Sequence, residues 1–185
     1  LRKTPVLPAD SNLRARKMEV ELLPDGSGTV SVEERITGVQ AASYRSTFEA
    51  PGTQRDRLTR QLSSTYPGLS LEDFKFEGLT TPEKEVTLRY KLKAPVLARL
   101  EGGELRASPT ALNDLLREYA GSATRKYPVE LGVPSTYHEE RNLRPPPRSK
   151  LRHVPSGGEV KSRFGSLSVQ LSRRDDAVLS KVSLT

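Results

Sequence analysis

The chain contains no cysteine and no tryptophan, and its 185 residues include only two histidines, His138 and His153. Without a thiol there is no disulfide, no Cys-ligated zinc and no cysteine nucleophile. The compartment stays open, because reducing and oxidising locations both tolerate a chain without cysteine. Aromatic residues make up 5%, too few for the interleaved aromatic and basic platform on which RNA-binding sheets stack bases. No run approaches the ~18 apolar residues of a membrane-spanning helix. The first residue is Leu1, with neither a methionine nor a charged-then-apolar leader, so the sequence reads as a piece excised from something longer.

What remains is a moderately apolar, highly charged chain: 34% hydrophobic and 29% charged, with a formal net charge of +7. A chain of this length buries roughly 70% of its unfolded surface without covalent staples. Its low apolar share implies a thin core, as in a two-layer sandwich. Most Lys and Arg stand beside acids, as in Glu33-Glu34-Arg35, Arg55-Asp56-Arg57 and Glu83-Lys84-Glu85. Such interleaving belongs to a solvated surface, and neither a nucleic-acid partner nor membrane insertion is expected from it.

The clearest local signal is a β-hairpin. Met18, Val20 and Leu22 alternate with Glu19 and Glu21, and Val30 and Val32 with Thr29 and Ser31. Pro24-Asp25-Gly26 between them is turn chemistry: Pro presets φ, Asp bonds locally and Gly accepts positive φ. The same grammar predicts strands at Ser43–Ala50, Leu69–Glu77, Glu85–Ala94, Thr136–Leu143, Val160–Phe164, Leu167–Leu171 and Ala177–Leu184, with shorter pieces at Val96–Leu100 and around Val129. Two helices interrupt it. Leu58, Leu62 and Tyr66 share one helical face in Thr53–Tyr66, with Thr53 as N-cap and Asp56 completing a capping-box-like pattern. Ser108-Pro109 opens a second, with Leu112, Leu115, Leu116 and Tyr119 as its stripe and Gly121 as its stop. Residues 1–12 read as a linker from an upstream module. Residues 13–185 read as one mostly β domain, an antiparallel, jelly-roll-like β-sandwich with two short helices in its connections.

Reaction chemistry is hard to find. There is no Gly-x-Ser-x-Gly elbow and no phosphate-binding Gly-Lys-Ser/Thr loop. His138-Glu139-Glu140 invites a metal reading, but on a strand only His138 and Glu140 share a face. No catalytic residue, metal or cofactor is therefore assigned. The densest basic region spans Arg141 to Arg152 and includes Arg144-Pro145-Pro146-Pro147-Arg148-Ser149-Lys150. Its proline run suits either a stiff surface loop or a polyproline ligand. Arg141, Arg144, Arg148, Lys150 and Arg152 are the candidate contacts for an anionic polymer.

Several landmarks carry a family resemblance. They are Thr4-Pro5 through Asn12 with the following strand, Asp25-Gly26 and Gly38; Tyr44-Arg45-Ser46-Thr47-Phe48; Arg125-Lys126-Tyr127-Pro128-Val129-Glu130-Leu131; and His153-Val154-Pro155-Ser156-Gly157-Gly158-Glu159-Val160. Their order resembles the C-terminal β-domain of bacterial three-module transglutaminase-like proteins, with Val154 where that family more usually has Leu. In that family the catalytic Cys, His and Asp lie in the core module, and no position here corresponds to them. The resemblance implies a non-catalytic accessory domain that packs on the transglutaminase-like core of the same parent chain. It also implies export to the periplasm or cell surface, with a cell-envelope polymer or protein as a further partner. Arg45, Arg125 and Tyr127 would then be structural landmarks. The alternative from the residues is a free-standing carbohydrate or anionic-polymer binding sandwich.

Overall fold

A computed structural model of the chain describes residues 8–110 and 132–185. The expected hairpin is present as β1 (Leu13–Leu22) and β2 (Gly28–Ile36). Asp25 accepts hydrogen bonds from the Ser27 amide at 3.0 Å and its hydroxyl at 2.7 Å, and Gly26 takes φ +86°. Gly26 has a second duty. Its carbonyl accepts from the amides of Leu97 and Ala98, and a Cβ there would lie 2.3 Å from the Ala98 oxygen. The turn is therefore also a dock for the segment after β4, and only glycine fits it.

Among the described residues, two helices and eight further strands follow in chain order: α1 (Gly38–Phe48), α2 (Pro51–Ser63), β3 (Ser70–Glu77), β4 (Val86–Ala94), β5 (Ala98–Glu101), β6 (Glu104–Ala107), β7 (Thr136–Arg144), β8 (Gly158–Ser162), β9 (Gly165–Arg174) and β10 (Ala177–Leu184). The protein is mostly β, as its alternating patterns require. Eight strands form one sheet in the order β3-β4-β2-β1-β7-β10-β9-β8, and β5 and β6 form a separate two-stranded ribbon. β1 and β7 run parallel, whereas every other pairing in the large sheet is antiparallel. The parallel pair joins two four-stranded antiparallel halves, one from each half of the sequence.

The core lies on one face of the first half of the sheet, β3-β4-β2-β1. Met18, Val20, Leu22, Val30, Val32, Leu88, Tyr90 and Leu92 point into it from the strands, and Phe48, Leu58 and Leu62 cover them from the helices. Phe48 stacks obliquely on Phe76, with ring centroids 4.5 Å apart.

Two local expectations are corrected. Ser43–Ala50 is not a strand but the second half of α1. Tyr44, Ser46 and Phe48 happen to alternate, yet Ala41, Tyr44 and Phe48 also sit at helical spacing, and Ala41 and Phe48 are buried. The signal that starts this helix is not local. Asn12 supplies the capping oxygen, accepting from the Val39 amide at 3.0 Å, while Thr37 turns its hydroxyl to the Leu13 amide. Helix α2 begins at Pro51 rather than after it, as proline's fixed φ favours in a first turn. Ala50 is its N-cap, and Thr53 instead donates its hydroxyl to the Ala50 carbonyl at 3.2 Å. The helix expected after Ser108 and the strand around Val129 lie outside the described residues.

Asn12 also ties the lead-in to the domain. It is 1% exposed; its Nδ2 donates to the Pro134 carbonyl at 2.9 Å, and its own carbonyl accepts from Thr136 at 3.0 Å. One side chain thus caps α1 and pins the start of the parallel pair. Asn12→Ala is expected to cost about 2 kcal/mol, combining a lost cap with the lost hydrogen bond to the Pro134 carbonyl. That corresponds to a fall in Tm of roughly 4–8 °C for a chain of this size, measurable by calorimetry.

Candidate functional site

The core face turns polar where the two halves of the sheet meet. Arg14 and Arg16 follow from β1, Glu34 from β2, and Tyr137, Glu139 and Arg141 from β7. Register places them together: Arg16 stands opposite Glu34 on one side and Glu139 on the other. Glu34 is 1% exposed and accepts from the Nε of Arg14 and from Nη2 of Arg16, the latter at 3.2 Å. Arg14 also donates to the Tyr44 hydroxyl at 3.3 Å, and Gln61 of α2 donates to the same oxygen. The charges therefore lock both helices to the sheet.

Burial alone would raise the pKa of Glu34, but the Arg16 and Arg14 guanidiniums outweigh it and hold the carboxyl below its usual range. Burial works against Arg16 as well, and Glu34 more than reverses it, keeping that guanidinium charged. Tyr137 donates to Glu139, and its own ionisation is pushed up by burial, with Arg16 opposing and Glu139 reinforcing. These groups neutralise one another inside the protein, which is how buried charge is tolerated.

Of the five basic candidates, Arg141 belongs to this interior and not to a surface patch. It is 6% exposed, donates Nη1 to the Ser108 carbonyl at 2.9 Å, and is made less basic by burial, with Tyr66 and Glu139 opposing. Its strand position explains this: Arg141 alternates in phase with Glu139 and Leu143, on the buried face. Arg144 ends β7 in solvent, 3.8 Å from Glu19 and 3.5 Å from Glu21. Arg152 pairs with Glu104. Arg148, at φ +66°, and Lys150 are exposed and have no ion-pair partner among the described residues. Pro146 is buried and its carbonyl accepts from Ser149, so this run is folded onto the domain as a loop.

The opposite face of the sheet is wet. It carries rows of alternating charge across the strands, such as Arg89 with Glu33 at 2.9 Å and Lys181 with Glu140 at 3.7 Å. Between rows runs a shallow groove of about 610 Å³, floored by the small Ala15, Ser168 and Ser183 beside His138 and edged by Lys17, Arg35 and Lys181. Residues from five strands form it, so no local motif could have announced it. His138 and Glu140 share this exposed face, and among the described residues no three His, Asp or Glu side chains are placed to hold a metal ion. Nor is any described helix long and apolar enough to cross a membrane.

Comparison of the chain with protein-family models, with curated proteins and with solved structures found no match.

Because the folded Glu34 has a lowered pKa, its contribution to stability is complete above the unfolded carboxylate value of about 4.3. It is lost as pH falls through the lower folded value. Glu34→Gln leaves two guanidiniums without their counter-charge and is expected to cost about 3–5 kcal/mol at neutral pH. Urea unfolding at several pH values should show that penalty shrinking as the medium is acidified. A penalty independent of pH would contradict the assignment.

Proposed function

We propose that this chain is a non-catalytic accessory β-module of an exported transglutaminase-like protein, with structural and interaction duty. The observation that carries the reading is the use made of Arg45, one of the residues on which the resemblance rests. Its guanidinium donates to the carbonyls of Gly78 at 3.1 Å, Thr81 at 3.2 Å and Lys84. A side chain spent on closing the loop between β3 and β4 is a structural landmark, not a reactive group. The adjacent Tyr44 is engaged in the same way, by Arg14 and Gln61. Arg125 and Tyr127 lie outside the described residues.

On this reading bond-making belongs to the transglutaminase-like core of the parent chain, and this module supports it at the periplasmic or cell-surface location that the resemblance implies. The test is the encoding reading frame together with an amine-incorporation assay. A Cys-His-Asp core encoded upstream of Leu1, and no incorporation by this chain alone, are the expected results. An upstream frame without that core, or incorporation by the isolated chain, would overturn the proposal.

A second reading, binding of an anionic polymer, is favoured by the exposed cations Arg148 and Lys150, which have no ion-pair partner among the described residues. It predicts that replacing both by Ala lowers the salt needed to elute the chain from heparin, since each phosphate- or sulfate-like contact adds to the salt dependence. Arg141→Met, inside the protein, should leave the elution unchanged. If the double variant elutes like the wild type, this reading fails.

A further inference from the structure

The two edges of the large sheet differ. On β3 the ladder with β4 is irregular between Leu71 and Asp73, and Glu72 is drawn to Lys91 and Lys93. Such irregularity and engaged charge are ordinary protection of an open edge. β8, Gly158–Ser162, is regular through its whole pairing with β9 and exposed at every residue. Among the described residues no strand pairs with its outer side, which presents backbone donors and acceptors.

The sequence of β8 is Gly158-Glu159-Val160-Lys161-Ser162, self-complementary about Val160. In an antiparallel pairing of two such strands centred on Val160, Glu159 of each copy faces the partner's Lys161. A two-fold axis perpendicular to the sheet generates this arrangement and keeps equivalent faces together. Glu159 and Lys161 share the wet face: Glu159 registers with Ser168, which registers with Ser183. Within one chain they already lie 2.9 Å apart, both well exposed. Val160, 67% exposed, registers with Leu167 on the face of the core. Pairing would set the two valines side by side and remove them from water.

We propose that β8 is a self-association edge, through which two copies of this chain join their sheets in antiparallel register centred on Val160. The partner is a second copy because the charge order along the strand is complementary to itself. The contact is short, so the association is weak and concentration-dependent.

Sedimentation equilibrium of the 185-residue chain at low ionic strength tests this directly. The wild type should show a monomer–dimer equilibrium that weakens with salt. Glu159→Lys puts lysine opposite lysine, and Lys161→Glu puts glutamate opposite glutamate. Each should weaken self-association by about tenfold or more, since two opposed pairs change from attractive to repulsive. An equimolar mixture of the two variants should associate again, because each then meets its complement, and the double swap E159K/K161E should self-associate like the wild type. Circular dichroism checks that all four chains are folded. A wild type that stays monomeric up to about 1 mM, indifference to either single swap, or no recovery in the mixture would overturn the proposal.

Discussion

Everything in this fold depends on one seam. The antiparallel unit β3-β4-β2-β1 comes from the first half of the sequence and the unit β7-β10-β9-β8 from the second, and they touch as a continuous sheet only where β1 lies parallel to β7. A parallel pair cannot be closed by a tight turn, so the connection is long and the seam must be specified by other means. Asn12 fixes its start from the backbone side, and Arg16, between Glu34 and Glu139, fixes its middle from the side-chain side.

The cost of that solution is charge inside the protein. Three arginines and two glutamates occupy positions that aliphatic residues take elsewhere on the same strands. Glu34 compensates two of the arginines, and the penalty for mispairing is high because an orphaned charge at this depth has no water to turn to. A slip of one residue would move every one of these groups to the opposite face. The buried polar cluster therefore acts on register: it makes alternative alignments of the two halves of the sheet expensive.

The wet face obeys a different rule. Its charges alternate across neighbouring strands, with Glu33, Lys17, Glu140 and Lys181 following one another in a row. This arrangement keeps a large flat surface solvated while each charge meets its opposite. Among the described residues the basic cluster is likewise dispersed: Arg144 and Arg152 are tied to acids, Arg141 is inside, and Arg148 and Lys150 are exposed without an ion-pair partner.

Where structure is local, a residue's near neighbours in the sequence were sufficient. The β1–β2 hairpin, the alternation of β4 and the closing strands β9 and β10 follow from period-two patterning and turn chemistry, which act over a few neighbours. The Leu58–Leu62 stripe of α2 is equally local. Helix α1 was not legible, because its cap comes from Asn12, 26 residues before Gly38, and because Tyr44-Arg45-Ser46-Thr47-Phe48 satisfies both periods. The basic cluster was legible only as composition. That Arg141 faces inward while Arg144 faces out depends on which face of β7 the helices and the neighbouring strands cover.

By itself the sequence determined that this is a mostly β chain without thiol chemistry, because alternation and the absence of cysteine are properties of residues and their immediate neighbours. Only the tertiary structure decided that the two halves of the sheet share a parallel seam, that the face carrying Glu34 and its two arginines is the covered one, and that β8 ends the sheet. The seam joins strands more than a hundred residues apart, and burial and edges depend on which elements pack where, so no local pattern encodes them.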